Sequence, residues 1–221
     1  NAWRELDRRY RFDWVIWPRR TVTGGSILDF LDSDSRWALV FADDIAALFL
    51  RRDGADSALA ARHAYRLLPA GEVALGALSE AAARDTATRT QLRDELERAA
   101  ASSEWNGSAL SLLANVDLFE ARWADAARHL ETARQVMPDL GRAWERIGLA
   151  KLHGGDPRGA LDAFEREQRA RRGWREASFR RAQALQALGR IAEARVAYRA
   201  ALARDPANAE ARDSLAALRG R

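Results

Sequence analysis

"GRIAEARVAYRAALARDP", residues 189–206, decides the architecture, because it reads as an amphipathic helix entered after a glycine and stopped at a proline. The same layout stands 34 residues earlier in "GDPRGALDAFEREQRARR" (155–172), and again in "ARWADAARHLETARQVMP" (121–138). Self-similarity at such a period is the mark of stacked helical units. In a frame starting at 107, 141 and 175, the eighth column holds Ala114, Gly148 and Ala182, and the twentieth holds Ala126, Ala160 and Ala194. Small residues there let two antiparallel helices approach closely. Column 24 holds Leu130, Phe164 and Tyr198, which fill the gap toward the next unit. Column four is Leu110, Trp144 and Ser178, and Trp144 and Phe164 are both expected in the core. Gly155 and Gly189 follow the first helix of their units, where a left-handed cap is wanted. Column 32 holds Pro138, Arg172 and Pro206, and proline there ends the second helix.

These columns resemble the tetratricopeptide repeat. The resemblance covers three repeats, 107–140, 141–174 and 175–208, with "NAEARDSLAALRGR" (208–221) as a closing helix. Two departures stand out: the first repeat lacks the tryptophan and glycine, and the second carries Arg172 in place of proline. Upstream, 53–106 reads as a worn repeat and linking helices. Segments 72–84 and 87–102 form a pair, with Leu92, Leu96 and Ala99 apolar, and 57–69 is a helix ending at Pro69. The expected fold is mainly α: a right-handed superhelix of helical hairpins preceded by a small α/β cap.

Residues 1–52 have a different period. A helix over 3–10 precedes the strand-forming run "FDWVIWP" (12–18), the short helix "GSILDFLDSD" (25–34) and a hairpin, "WALVFADDIAALFLRR" (37–52). Three strands cannot bury both faces alone, so the helix near 57–68 is expected to cover one. This α-β-α-β-β order resembles a soluble unit that follows the membrane-spanning part of some bacterial multi-spanning glycosyltransferase-like proteins. That likeness implies the extracytoplasmic (periplasmic) face of the bacterial inner membrane and catalysis elsewhere in a longer parent; otherwise the placement is cytoplasmic.

Composition sets bounds on these readings. The chain has 221 residues, a net charge of +4 and no cysteine, which excludes disulfides and thiolate metal sites. Lys151 is the single lysine. Residues 107–221 hold 21 basic and 15 acidic side chains, an interleaved, mildly basic pattern that does not imply nucleic acid. No run approaches a membrane span or a signal peptide. The opening Asn1-Ala2 reads as the scar of a removed tag, which predicts a piece excised from a longer protein.

Several motifs invite chemistry. "DSD" (32–34) has the form of an Asp-x-Asp metal motif, yet it follows a helix, where a turn is expected. "TGGS" (23–26) lacks the lysine and spacing of a phosphate loop and is expected to lead into and cap the short helix. Asp43 and Asp44 are adjacent in a hairpin turn and face different directions. His63, His129 and His153 fall on separate helices. No catalytic residue, cofactor or metal ligand is predicted.

The repeat resemblance implies that positions 2, 5, 6, 9 and 12 of each unit line a concave groove. The lining reads Ser108, Ser111, Leu112, Asn115 and Leu118, then Arg142, Glu145, Arg146, Leu149 and Leu152, then Glu176, Phe179, Arg180, Gln183 and Gln186. Asn115, Arg142, Glu145, Arg146, Glu176, Phe179, Arg180 and Gln183 are the candidate peptide-contacting residues. The family's carboxylate clamp needs lysines where this chain has Ser111 and Glu176, so that clamp is not expected. The run from Arg166 to Arg181 holds seven arginines with Glu167 and Glu176 among them, and suits an acidic peptide, a phospholipid headgroup or a merely solvated surface. The reading is a non-catalytic scaffold for a protein or peptide partner, acidic chains among the candidates; the alternative is an auxiliary domain of a membrane glycosyltransferase-like protein.

Overall fold

A computed structural model of the chain describes residues 2–19 and 27–218, and the TGGS motif (23–26), expected to lead into and cap the short helix, lies outside them. The order is α1 (Ala2–Tyr10), β1 (Trp14–Pro18), α2 (Ile27–Ser33), β2 (Trp37–Ala42), β3 (Ala46–Arg51), α3 (Ser57–His63), α4 (Glu72–Arg84), α5 (Thr86–Ser102), α6 (Gly107–Phe119), α7 (Trp123–Val136), α8 (Ala143–His153), α9 (Pro157–Ala170), α10 (Ala177–Ala187), α11 (Ile191–Arg204) and α12 (Ala209–Ala217). Two compact units are distinguished: 1–119 with 135–137, and 120–134 with 138–221.

The first unit is built on an antiparallel sheet of order β1-β3-β2. Alternation sends Val15, Trp37, Leu39, Ala47 and Phe49 into one core with Leu28 and Leu31 of α2, and Leu92, Leu96 and Leu113 of α5 and α6 extend it. The opposite face is covered by α3, whose Ala60 packs with Ala38 and Leu50, as three strands require. That helix ends at His63 and not at Pro69. After Ala64 the Tyr65 N–H donates to the Leu39 carbonyl, and Glu95 accepts the N–H groups of Arg66, Leu67 and Leu68, so long-range bonds extend the chain before the proline is reached.

The acidic motifs are anchors of the fold. Asp32 accepts from the N–H groups of Ala70 and Gly71 at the entry to α4, and Asp34 pairs with Arg36 in the turn. Asp43 closes the hairpin by accepting from Ile45 and Ala46 and receives the Ser103 hydroxyl. Asp44 faces away and accepts from Gly107 N at 2.8 Å and Ser108 N at 3.0 Å, capping α6. Asp7, a buried residue of α1, pairs with Arg51 and Arg36.

In the second unit the sequence columns become burial columns. Ala126, Ala160 and Ala194 are all fully buried, as are Leu130, Phe164 and Tyr198. Pro206 and its counterpart Arg172 are exposed. Gly155 and Gly189 take φ of +84° and +72°, the left-handed caps that a side chain would resist. Asp156 caps α9, with Pro157 in its first turn, and Asn208 caps α12. Phe164 lies 6.2 Å from Trp174, and Phe179 lies 6.1 Å from Tyr198. Trp144 departs from expectation. It is half-buried, and the guanidiniums of Arg134 and Arg166 lie 4.2 and 4.8 Å from its ring. Long basic side chains cover the indole there in place of a core.

Candidate functional site: the face of α8 and α10

Helices α8 and α10 are the first helices of the second and third repeats, and seven of the eight candidate residues lie on them or at their caps. Asn115 belongs to α6 in the first unit, where it is half-buried and bonded.

Arg142 opens α8 in a left-handed conformation, φ +57°, which is uncommon for a residue with a side chain. Its fork grips Glu145, with Nε to Oε2 at 2.9 Å and Nη2 to Oε1 at 3.1 Å. Glu145 is only 2% exposed. A second arginine, Arg171, donates to Glu145 at 3.3 Å and pairs with Glu167 at 3.4 Å. Glu167 is buried too and accepts the Glu145 backbone N–H. Burial alone would raise the Glu145 carboxyl, but the Arg142 hydrogen bonds and the charges of Arg142, Arg171 and Arg180 outweigh it and hold it below the ordinary range. The Arg142 hydrogen bonds to Glu145 in turn raise its own pKa, with Glu176 and Glu167 contributing charge. Burial and the neighbouring Arg142 charge push Arg146 down to about 10.

On α10, Arg180 donates through Nη1 to Gln183 Oε1 at 3.1 Å and lies 5.4 Å from the Phe179 ring centre. Glu176 is exposed at the cap.

The structure therefore gathers Arg142, Glu145, Arg146, Glu176 and Arg180 into one electrostatic neighbourhood. Two of the predicted lining residues lie beneath the surface: Phe179 is 5% exposed and packs on Tyr198, and Glu145 is sealed by arginines. They support the accessible side chains. Residues Arg171 and Glu167, from α9 and the turn after it, were not among the candidates. The signal available for them was the arginine run 166–181, which contains both. Among the described residues, no group of three or more histidine, aspartate or glutamate side chains is placed to hold a metal ion, and His153 stacks on Trp123 at 4.9 Å.

Residues 175–208 match the family model described as tetratricopeptide repeat. Among solved structures the chain is similar to the Arabidopsis OM64 TPR domain, with 20% identity over 52% of this chain and 95% of that one, TM-score 0.48. It is similar to the first TPR of Spaghetti (RPAP3) bound to HSP90 peptide SRMEEVD, with 20% identity over 51% and 89%, TM-score 0.47. A third similar structure, the MamA RS-1 ArsTM double mutant, shares 16% identity over 66% of this chain and 82% of that one, TM-score 0.58, a likeness of fold. No curated protein matches the chain. The chain carries a tetratricopeptide repeat, and α8–α9 repeat the layout of α10–α11. The matched segment lies outside residues 1–52, and no helix among the described residues is long and apolar enough to cross a membrane.

Proposed function

We propose that this tetratricopeptide-repeat chain is a non-catalytic scaffold that holds a segment of a partner protein against the common face of α8 and α10. Stacked helical hairpins bury one side of each first helix and leave the other free to bind. The observation that carries the reading is geometric: Arg142 at the start of α8 and Glu176 at the start of α10 line one open cavity. Side chains from successive repeats thus converge on one strip, with Arg142 and Glu176 exposed and Arg180 and Gln183 partly so. An extended peptide suits such a strip, since Gln183 can bond its backbone and arginine can take a carboxylate.

A peptide array probed with the whole chain, followed by titration of the best binder, tests this. The Arg180→Ala variant is expected to weaken binding about tenfold, the loss of one charge-assisted contact. Unchanged affinity would remove the assignment.

A further inference from the structure

The turn between α9 and α10, residues 171–176, departs from the repeat pattern, and the departure creates a site. Where the flanking units have Pro138 and Pro206, this one has Arg172, and the chain reverses through Gly173 at φ +87° instead. The turn walls an open cavity of about 320 Å³ lined by Arg142, Arg171, Arg172, Arg175, Glu176 and Trp174.

The four guanidiniums are not equally engaged. Arg142 and Arg171 are held against the buried Glu145, and Arg171 also lies 5.3 Å from the centre of the Trp174 ring, so both are oriented before any ligand arrives. Arg172 is exposed and has no ion-pair partner among the described residues. Arg175 makes a 3.8 Å approach to Asp205, with both side chains open to water. Two preset arginines and two loosely held ones thus line one cavity, whose acidic member among the described residues is Glu176.

We propose that this cradle binds an oxyanion, a carboxylate or a phosphate, carried by the partner peptide. The proposal rests on the scaffold reading and adds to it the chemical class of the peptide and the place where its charge is read. Planar guanidinium forks match both oxyanions, and the cavity has room for the group and the stem that carries it.

Fluorescence anisotropy of the whole chain at fixed ionic strength tests the proposal with three labelled probes: hexaglutamate, a neutral hexapeptide bearing one phosphoserine, and hexaglutamine. At least one anionic probe is expected to bind at least about tenfold tighter than hexaglutamine, and comparison of the two names the oxyanion. The R172Q/R175Q double variant removes two exposed side chains and should lose that preference. The R158Q/R199Q variant changes the net charge equally at two exposed positions outside the cradle and should retain it. Glu176→Gln should tighten binding. Equal losses in both double variants would mean bulk charge and overturn the cradle. Flotation with anionic vesicles that R172Q/R175Q abolishes, without peptide binding, would also overturn it in favour of a lipid headgroup. If array peptides respond to Arg180→Ala but not to R172Q/R175Q, the cradle falls and the scaffold stands. If they respond to neither, both fall.

Discussion

Gly148→Ala tests whether the small-residue columns hold the hairpins together. Gly148 is buried in α8, facing α9, and a methyl group built on it would lie 2.3 Å from Cε1, 2.6 Å from Cδ1 and 2.9 Å from Cζ of Phe164. Apolar carbons meet comfortably at about 3.5–4.0 Å, so the ring must retreat by more than about 1 Å. It has little room, since Phe164 is 1% exposed and backed by Trp174. Overpacking of this kind costs about 1–3 kcal/mol, and the depth of the overlap argues for the upper end. Replacing glycine by alanine in a helix returns about 1 kcal/mol. The expected net destabilisation is about 2 kcal/mol, read by urea unfolding. Adding Phe164→Leu should recover part of it, giving a favourable coupling of about 1 kcal/mol in a double-mutant cycle. Gly76→Ala on α4, where nothing lies within 4 Å, is the internal control and should stabilise by up to about 1 kcal/mol. A Gly148→Ala protein as stable as the parent would refute close helix approach at this column.

Other outcomes follow from single contacts. Asp44→Ala removes the acceptor for the first amides of α6 and should destabilise by about 1–2 kcal/mol, with hydrogen-exchange protection lost first at Gly107 and Ser108. Tyr198→Phe deletes the 2.7 Å hydroxyl bond to Gln186 without emptying the core and should cost about 1 kcal/mol in urea unfolding. Glu145 has a depressed folded-state pKa, so its stabilising contribution is complete above the ordinary glutamate value of 4.5 and is lost as pH falls through the lower folded value. Unfolding titrations from neutral pH down to about pH 3 should therefore show a steeper loss in the parent than in Glu145→Gln.

The repeats were legible because close helix packing writes itself locally: alanine or glycine at fixed intervals, a large side chain four residues on, and a glycine where the backbone turns left-handed. The α3 cover of the sheet followed from the same economy of burial. Distant partners were not legible. The early stop at His63 depends on Glu95, 32 positions away in sequence, and the role of Asp44 depends on the start of α6. Trp144 read as core because aromatic residues at helical spacing usually are, whereas here two arginines from neighbouring helices cover its ring. The groove positions carried over from the repeat family fall on α8 and α10, but they could not reveal that Arg171 folds back to seal Glu145 or that Phe179 points inward. The arginine at column 32 was visible as an exception, yet only the geometry of the turn shows it facing three other arginines.

Chemical-shift mapping on the isotope-labelled whole chain, titrated with the tightest-binding peptide from the array, tests the scaffold claim most directly. Perturbations are expected on α8, on α10 and through 171–176, with the amides of Arg142, Arg180 and Gln183 among the largest. Perturbations confined to the outward sides of α9 and α11, or to the sheet of the first unit, would contradict it.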